Sequence, residues 1–434
     1  MRDLLVIALV LLGSAIALRR PWIGVLVWTW LSIMNPHRFT WGMAYDAPLA
    51  AIAAGSTLLG MLMSNERESP FKGPPVTLLF LLVIWMTLSW IFGLDREDDY
   101  EQWIKVIKVD FMIFVALALM HSKQHIMALA WVTTLSLAVL GAKGGLFTVA
   151  NGGAFKVWGP PGSFIQDNNE FALALVMTIP MLRFLQTQLQ RPVAYHAMTI
   201  VMVLCAVAAI GSYSRGASIA LSSMSLLLWW RSKNRFYGGI AMVLIAVSLV
   251  AFMPDVWNDR MSSISNYEED RSAMGRISAW WNAWNLAFHY PLGAGMNATR
   301  PELFAIYSPY PTFVHAAHSI YFQILGNHGF IGLALFLLIW ITTWRSAGSL
   351  RMRGGHSPET KWCADLGSMC QVSLLGYATG GAFLSLAYFD LPYDVLVMVV
   401  LGRVWMDTKA WEREPIYGSA ARWIPGLGFA TRAG

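Results

Sequence analysis

Stretches of about twenty apolar residues, separated by polar turns, recur along nearly the whole chain. In lipid such a stretch must satisfy its own backbone polar groups, which makes helices the expected form. Thirteen runs stand out, near 3–18, 21–35, 45–63, 75–93, 101–120, 124–147, 169–187, 194–212, 215–230, 236–253, 319–344, 366–389 and 393–407. The first two and the last are short for a full crossing, so about 12 transmembrane helices are expected. Charged residues make up 13% of the 434, about half the usual soluble share. No room remains for a folded soluble domain. The net charge of +6 reads as loop bias, and nucleic-acid binding is excluded. The sequence thus predicts an all-α integral membrane protein, with membrane lipids as its surroundings.

Lysine and arginine in short loops mark the cytoplasmic side. Arg231, Lys233 and Arg235 form one cluster, Arg345, Arg351, Arg353 and Lys361 another, and Arg183 and Arg191 flank a third loop. Alternating spans put these loops on one side, with the tail carrying Lys409, Arg413 and Arg422. The other side receives the acidic turn of Asp95, Glu97, Asp98, Asp99 and Glu101, the loop 148–168, a tight turn near 212–215 and the long stretch 254–317. Three parts follow: helices over 1–253, an external loop over 254–317, and helices plus a cytoplasmic tail over 318–434. The N-terminal apolar run lacks a small-residue cleavage site and reads as a retained helix.

The long loop holds Asp255, Asp259, Arg260, Glu268, Glu269, Asp270, Arg271 and Arg276, then turns amphipathic. Trp280, Trp281, Trp284 and Phe288 recur at helical spacing, as in an interfacial helix. His289 to Gly295, with Pro291 and two glycines, ends that helix.

Three features on this side carry chemistry. His318 stands where the loop meets an apolar helix, and a neutral imidazole there suits a general base. His315 lies three residues before it. Arg215, in Ser212-Tyr213-Ser214-Arg215-Gly216, occupies a turn at an apolar depth where arginine costs about 2.5–3.5 kcal/mol at most. A fixed anion would explain it, and the guanidinium fork suits phosphate. Arg276 opens the loop helix, where a cation opposes the macrodipole unless an anion is shared with the first-turn amides. Lys156, Lys105 and Lys108 are secondary candidates on the same side, read first as interface decoration. Asp167-Asn168-Asn169-Glu170 reads as a helix cap. Its ligands are too few for a metal site. His328, among Gly326, Gly329 and Gly332, reads as packing on a face open to a neighbouring helix. Cys205 and Cys370 fall in apolar runs and Cys363 in a polar loop, giving neither a disulfide framework nor a metal spacing.

The pattern His318-Ser319, nine residues, Gly329, two residues, Gly332 resembles the signature of the O-antigen ligase and polymerase superfamily. The Ser-Arg-Gly at Arg215, the Gly-Arg and Trp series from Arg276 and the Pro-Leu-Gly-Ala-Gly turn at Pro291 strengthen the likeness. The resemblance implies a multi-helix glycosyltransferase of the bacterial inner membrane that takes a glycan from undecaprenyl diphosphate on the periplasmic side. It implies that His318 is the essential histidine and that Arg215 and Arg276 bind the diphosphate, with no cofactor. A ligase passes the glycan to the sugar of lipid A–core; a polymerase passes it to another repeat unit. Met1-Arg2-Asp3-Leu4 and Asn35-Pro36-His37-Arg38-Phe39 resemble the exosortase-associated O-glycosylation ligase branch, which leaves a protein acceptor open. A transporter is the distant alternative. It fits less well, because the notable charges gather at the outer edge and no internal repeat is visible.

The orientation is testable by labelling. In a cysteine-free background, Ser265→Cys is expected to react with an impermeant maleimide in intact cells, and Lys233→Cys is expected not to. The opposite pattern would invert the protein in the membrane.

Overall fold

The computed structural model describes residues 2–232, 234–255, 257 and 271–414. Lys233, Asp259, Arg260, Glu268, Glu269, Asp270 and Arg422 lie outside the described residues, as does most of the charged half of the long loop. No strand occurs among the described residues. The helices are α1 Arg2–Ala17, α2 Pro21–Met34, α3 Leu49–Met63, α4 Pro74–Ile91, α5 Tyr100–Leu119, α6 Lys123–Ala150, α7 Asn168–Thr187, α8 Pro192–Ile210, α9 Arg215–Arg231, α10 Arg235–Phe252, α11 Arg271–His289, α12 Pro301–Tyr307, α13 Ile320–Arg353, α14 Lys361–Gly380 and α15 Asp390–Asp407. Five helical segments are long and apolar enough to cross a membrane: Pro74–Ile91, Lys123–Ala150, Asn168–Thr187, Pro192–Ile210 and Ile320–His356. The protein is an all-helical membrane protein.

Local chemistry sets the helix ends. Proline at the first helical position opens α2, α4, α8 and α12, where a missing N–H costs nothing. The Ser122, Asp167 and Ser214 side chains cap α6, α7 and α9 by accepting amide hydrogens. Asn35 ends α2 in the left-handed conformation (φ 49°, ψ 50°).

Two helices form the centre. Nearly every residue of α7 and α15 is buried, because other helices surround them. Helix α7 packs on α6, α8, α9 and α14; α15 packs on α5, α6, α13 and α14. Outward-facing Leu59, Leu62, Ile200, Val203 and Leu244 stay exposed, as a surface meant for lipid requires. Cys363, assigned to a polar loop from sequence, lies in the first turn of α14 and is buried with Cys205 and Cys370. Charge is not confined to the outer edge either. Asp110 on α5 and Asp390 and Asp394 on α15 are buried in the bundle, where Ser32 donates to Asp390 and Thr133 donates to Asp394.

The helix after His318 is not continuous. It breaks at Gly329 (φ 65°, ψ −170°), which frees the preceding carbonyls. The Ala294 and Gly295 amides donate to the Gly326 and Asn327 oxygens at 3.3 and 3.1 Å, and the Trp85 indole donates to His328 O at 2.8 Å. The Asn327 side chain accepts from Ala298 N and donates to Met296 O and the Tyr388 hydroxyl. His328 pairs with the same hydroxyl at 2.7 Å. The glycine face therefore receives a loop, 291–298, and not only a neighbouring helix. Gly326 meets Ala283 of α11 and Gly332 meets Trp85 of α4, while Gly329 meets Pro291 of the loop. A left-handed glycine and close backbone contact make this insertion possible. Gly293 has φ +94°, and a Cβ there would sit 2.2 Å from Asn327 O.

Gly293→Ala is expected to destabilise the protein by at least about 1–3 kcal/mol. Gly355→Ala, where a Cβ meets nothing within 4 Å, is the control. Thermal unfolding of the purified proteins in detergent should show a lower midpoint for the first and little change for the second.

Candidate functional site

The turns at 35–48, 92–99, 151–167, 211–214 and 381–389 and the stretch from 271 to 319 meet at one end of the bundle. Leu94 N donates to Ala294 O, Val157 N to Gly211 O, and the Tyr213 hydroxyl to Gly153 O. The acidic turn is part of this scaffold. Asp99, one of its five acidic residues, is 2% exposed; it accepts from Met296 N at 2.6 Å and from Arg300 at 2.9 Å. Arg300 also reaches Asp95 at 3.8 Å. Nothing in the sequence singled out Arg300, because its partners lie some two hundred residues away.

His318 sits at the inner edge of this scaffold with φ 39°. A left-handed backbone at a residue other than glycine costs about 1–3 kcal/mol and persists only where neighbours hold it. Here the Trp280 indole donates to Ala317 O at 2.8 Å and stacks on Phe322, and the following Ser319 is buried. Tyr213, two residues before Arg215, also has positive φ (63°). Of the four such residues other than glycine among those described, one is therefore a candidate site residue and another lies two residues before one.

The His318 ring faces a carboxylate that sequence reasoning had assigned to a cap. Asp167 does cap α7, accepting from Asn169 N at 2.8 Å. Glu170 turns inward, 7% exposed, with Oε1 3.6 Å from His318 Nδ1. That distance lies just beyond hydrogen-bond length, and such contacts tighten when substrate binds. The Ser385 amide donates to the same Glu170 oxygen at 3.4 Å. Burial pushes the Asp167 carboxyl up, but a hydrogen bond with Glu170, those from Asn169 and the charge of His318 outweigh it and hold it below the usual carboxylate range.

His315 and Arg276 complete the group. The His315 and His318 ring centres are 4.8 Å apart. Gly275 lies against His315, where a Cβ would meet the His315 Cβ at 3.0 Å. Arg276 is close enough for its charge to bear on the His315 ring. Helix α11 runs from Arg271, so Arg276 stands in its second turn and not at its opening. The first-turn amides that the sequence reading had offered for anion binding thus precede it. The face of Ser278, Ala279, Asn282, Ala283 and Leu286 is buried, and Trp281, Trp284 and Phe288 are exposed, as the amphipathic pattern predicts.

Arg215 begins α9 immediately after the Ser214 cap. Its neighbour Gly216 packs on Phe383 and Leu384, next to the residue that donates to Glu170. Asn168 donates to Ser212 O at 2.6 Å and ties this turn to the start of α7. The three lysines form no part of the histidine group. The Lys105 ammonium lies 3.9 Å from the Phe164 ring centre, Lys108 is exposed one turn further, and Lys156 lines a separate cavity. No cluster of three or more His, Cys, Asp or Glu able to hold a metal occurs among the described residues.

Residues 200–337, which contain Arg215, Arg276, His315 and His318, match a family model described as O-antigen ligase. That match supports membership of the O-antigen ligase superfamily. Residues 1–190 match a family of unknown function, DUF5935. No curated protein matches the chain. The match points to glycosyltransferase-like ligase activity in general, and the family it matches implies a lipid-linked glycan donor and a glycan acceptor. Glu170 lies outside the segment that carries the family match.

His315 gives a stability prediction with a definite sign. Burial, with His318 and Arg276 acting the same way, lowers its pKa from 6.5 against the opposing Ala316 carbonyl. Below pH 6.5 the unfolded chain then binds more protons than the native one, so stability falls as pH drops. His315→Gln should flatten that part of the curve, measured as unfolding midpoint against pH.

Proposed function

We propose that this chain transfers a glycan from undecaprenyl diphosphate to an acceptor hydroxyl on the periplasmic face of the bacterial inner membrane. The acceptor in the leading reading is the lipid A–core sugar. About twelve helices would cross the membrane, and the stretch 254–317 would roof the site. One observation carries the reading: His318, in a strained backbone conformation, has Nδ1 3.6 Å from the buried Glu170 carboxylate. This arrangement leaves the other ring nitrogen for an incoming hydroxyl and places a negative charge where an imidazolium would form.

In this mechanism His318 takes the acceptor proton as the hydroxyl oxygen attacks the anomeric carbon from the face opposite the diphosphate. The bond to the diphosphate oxygen breaks, and the electron pair leaves with it. Arg215 and Arg276 hold the diphosphate and stabilise its growing charge. Fixed cations there remove the requirement for a metal, and inversion follows from a single displacement. A polymerase or a protein ligase would use the same steps with a different acceptor.

Each role has its own kinetic signature. His318→Ala should lower transfer by ~10²–10⁴-fold while donor binding persists. Glu170→Gln should lower the rate at least about tenfold, again without loss of donor, since the carboxylate acts through the imidazole. Arg215→Ala and Arg276→Ala should weaken donor binding as well as turnover, and Arg215→Lys should restore only part, because ammonium lacks the two-pronged geometry. The measurements are transfer from a synthetic polyprenyl-diphosphate glycan to lipid A–core, in EDTA, beside donor affinity. Near-normal turnover in His318→Ala, or activity that needs added magnesium, would overturn the mechanism.

A further inference from the structure

A second cavity opens at the same end of the bundle, on another face of α7. It has a volume of about 230 Å³. Phe171 lines it, one residue beyond Glu170 and so about 100° further round the helix. The rest of the lining combines two lysines, Lys143 and Lys156, with the Phe39, Phe147 and Trp158 rings.

Lys143 is hard to explain as structure alone. It lies seven residues from the end of α6, about 10 Å down the helix, and no other charged side chain occurs over 126–150. Its ammonium lies 5.6 Å from the Phe39 ring centre, and no carboxylate is within ion-pair distance among the described residues. Leu140, Gly144 and Phe147 share its side of α6 at helical spacing, Leu140 one turn deeper and Gly144 and Phe147 nearer the loop end. Gly144 matters to this shape, because a Cβ there would meet Val157 at 2.8 Å and Ala208 at 3.2 Å. The cavity therefore combines two cations with aromatic rings and an apolar wall of α6. A soluble phosphate would use only the cations. An amphiphile with an anionic head would use both.

We propose that this cavity holds the phosphate-bearing headgroup of a membrane lipid, with Lys143 and Lys156 on the phosphate and Leu140, Gly144 and Phe147 along its chain. The site is separate from the donor site proposed at Arg215 and Arg276, and its test does not involve transfer. The full-length protein is reconstituted in vesicles of phosphatidylglycerol and phosphatidylcholine in equal parts and extracted in mild detergent. Retained lipid is then counted by native mass spectrometry. The wild type should favour phosphatidylglycerol by roughly tenfold or more. Lys143→Gln combined with Lys156→Gln should remove the preference, and Lys143→Arg should keep it. Phosphorylated lipid A added to the vesicles should compete if glycolipids are the source of the headgroup; if it does not while phosphatidylglycerol is still favoured, bulk phospholipid is the source. Either result supports a lipid site. An unchanged preference in the double variant, or displacement of the lipid by glycerol 1-phosphate in solution, would overturn the proposal.

Discussion

Backbone hydrogen bonding without water is the constraint on which this architecture rests. A helix may break inside an apolar bundle only if something else satisfies the freed carbonyls. The break at Gly329 meets that condition with the amides of Ala294 and Gly295 and the Trp85 indole. The same contacts fix 291–298 between α4 and α13, and Asp99 and Arg300 hold its far end. The loop that follows α11 is therefore anchored within the bundle. A histidine presented from a free loop would lose position with every fluctuation of that loop.

The candidate site uses this rigidity to hold a guanidinium beside two imidazoles. Arg276, His315 and His318 lie near one another, and Glu170 and Asp167 are the nearby anions identified. Such a group is well matched to a ligand bearing negative charge. The left-handed backbone at His318 and Tyr213 has the same meaning: local conformational free energy is spent where side chains must point in one direction.

The apolar helices could be read in the sequence because they follow from apolar length alone, and five of them are long and apolar enough to cross a membrane. The caps at Asp167 and Ser214 could be read because they are local. Glu170 could not. The third position after a cap ordinarily serves the helix start, and only tertiary packing turns this side chain toward a histidine 148 residues away. Gly329 misled for a related reason, since a small-residue repeat reads equally as helix contact or as a place to admit a loop. Burial of Asp110, Asp390 and Asp394 was also invisible, because their partners Ser32 and Thr133 come from other helices. His318, Arg215 and Arg276 stood out because each was a polar residue whose place in an apolar or helical context needed a reason.

The Trp280 indole touches both halves of this arrangement. It belongs to α11, yet its hydrogen bond ends on the carbonyl just before His318. Lifting α11 would remove that bond and the Phe322 stack together, and the histidine backbone would be free to relax. The orientation of the imidazole would thus report whether α11 is seated. In the proposed mechanism, coupling of that kind would protect an activated sugar: with α11 raised and water able to enter, the group that would deprotonate it would no longer be aimed.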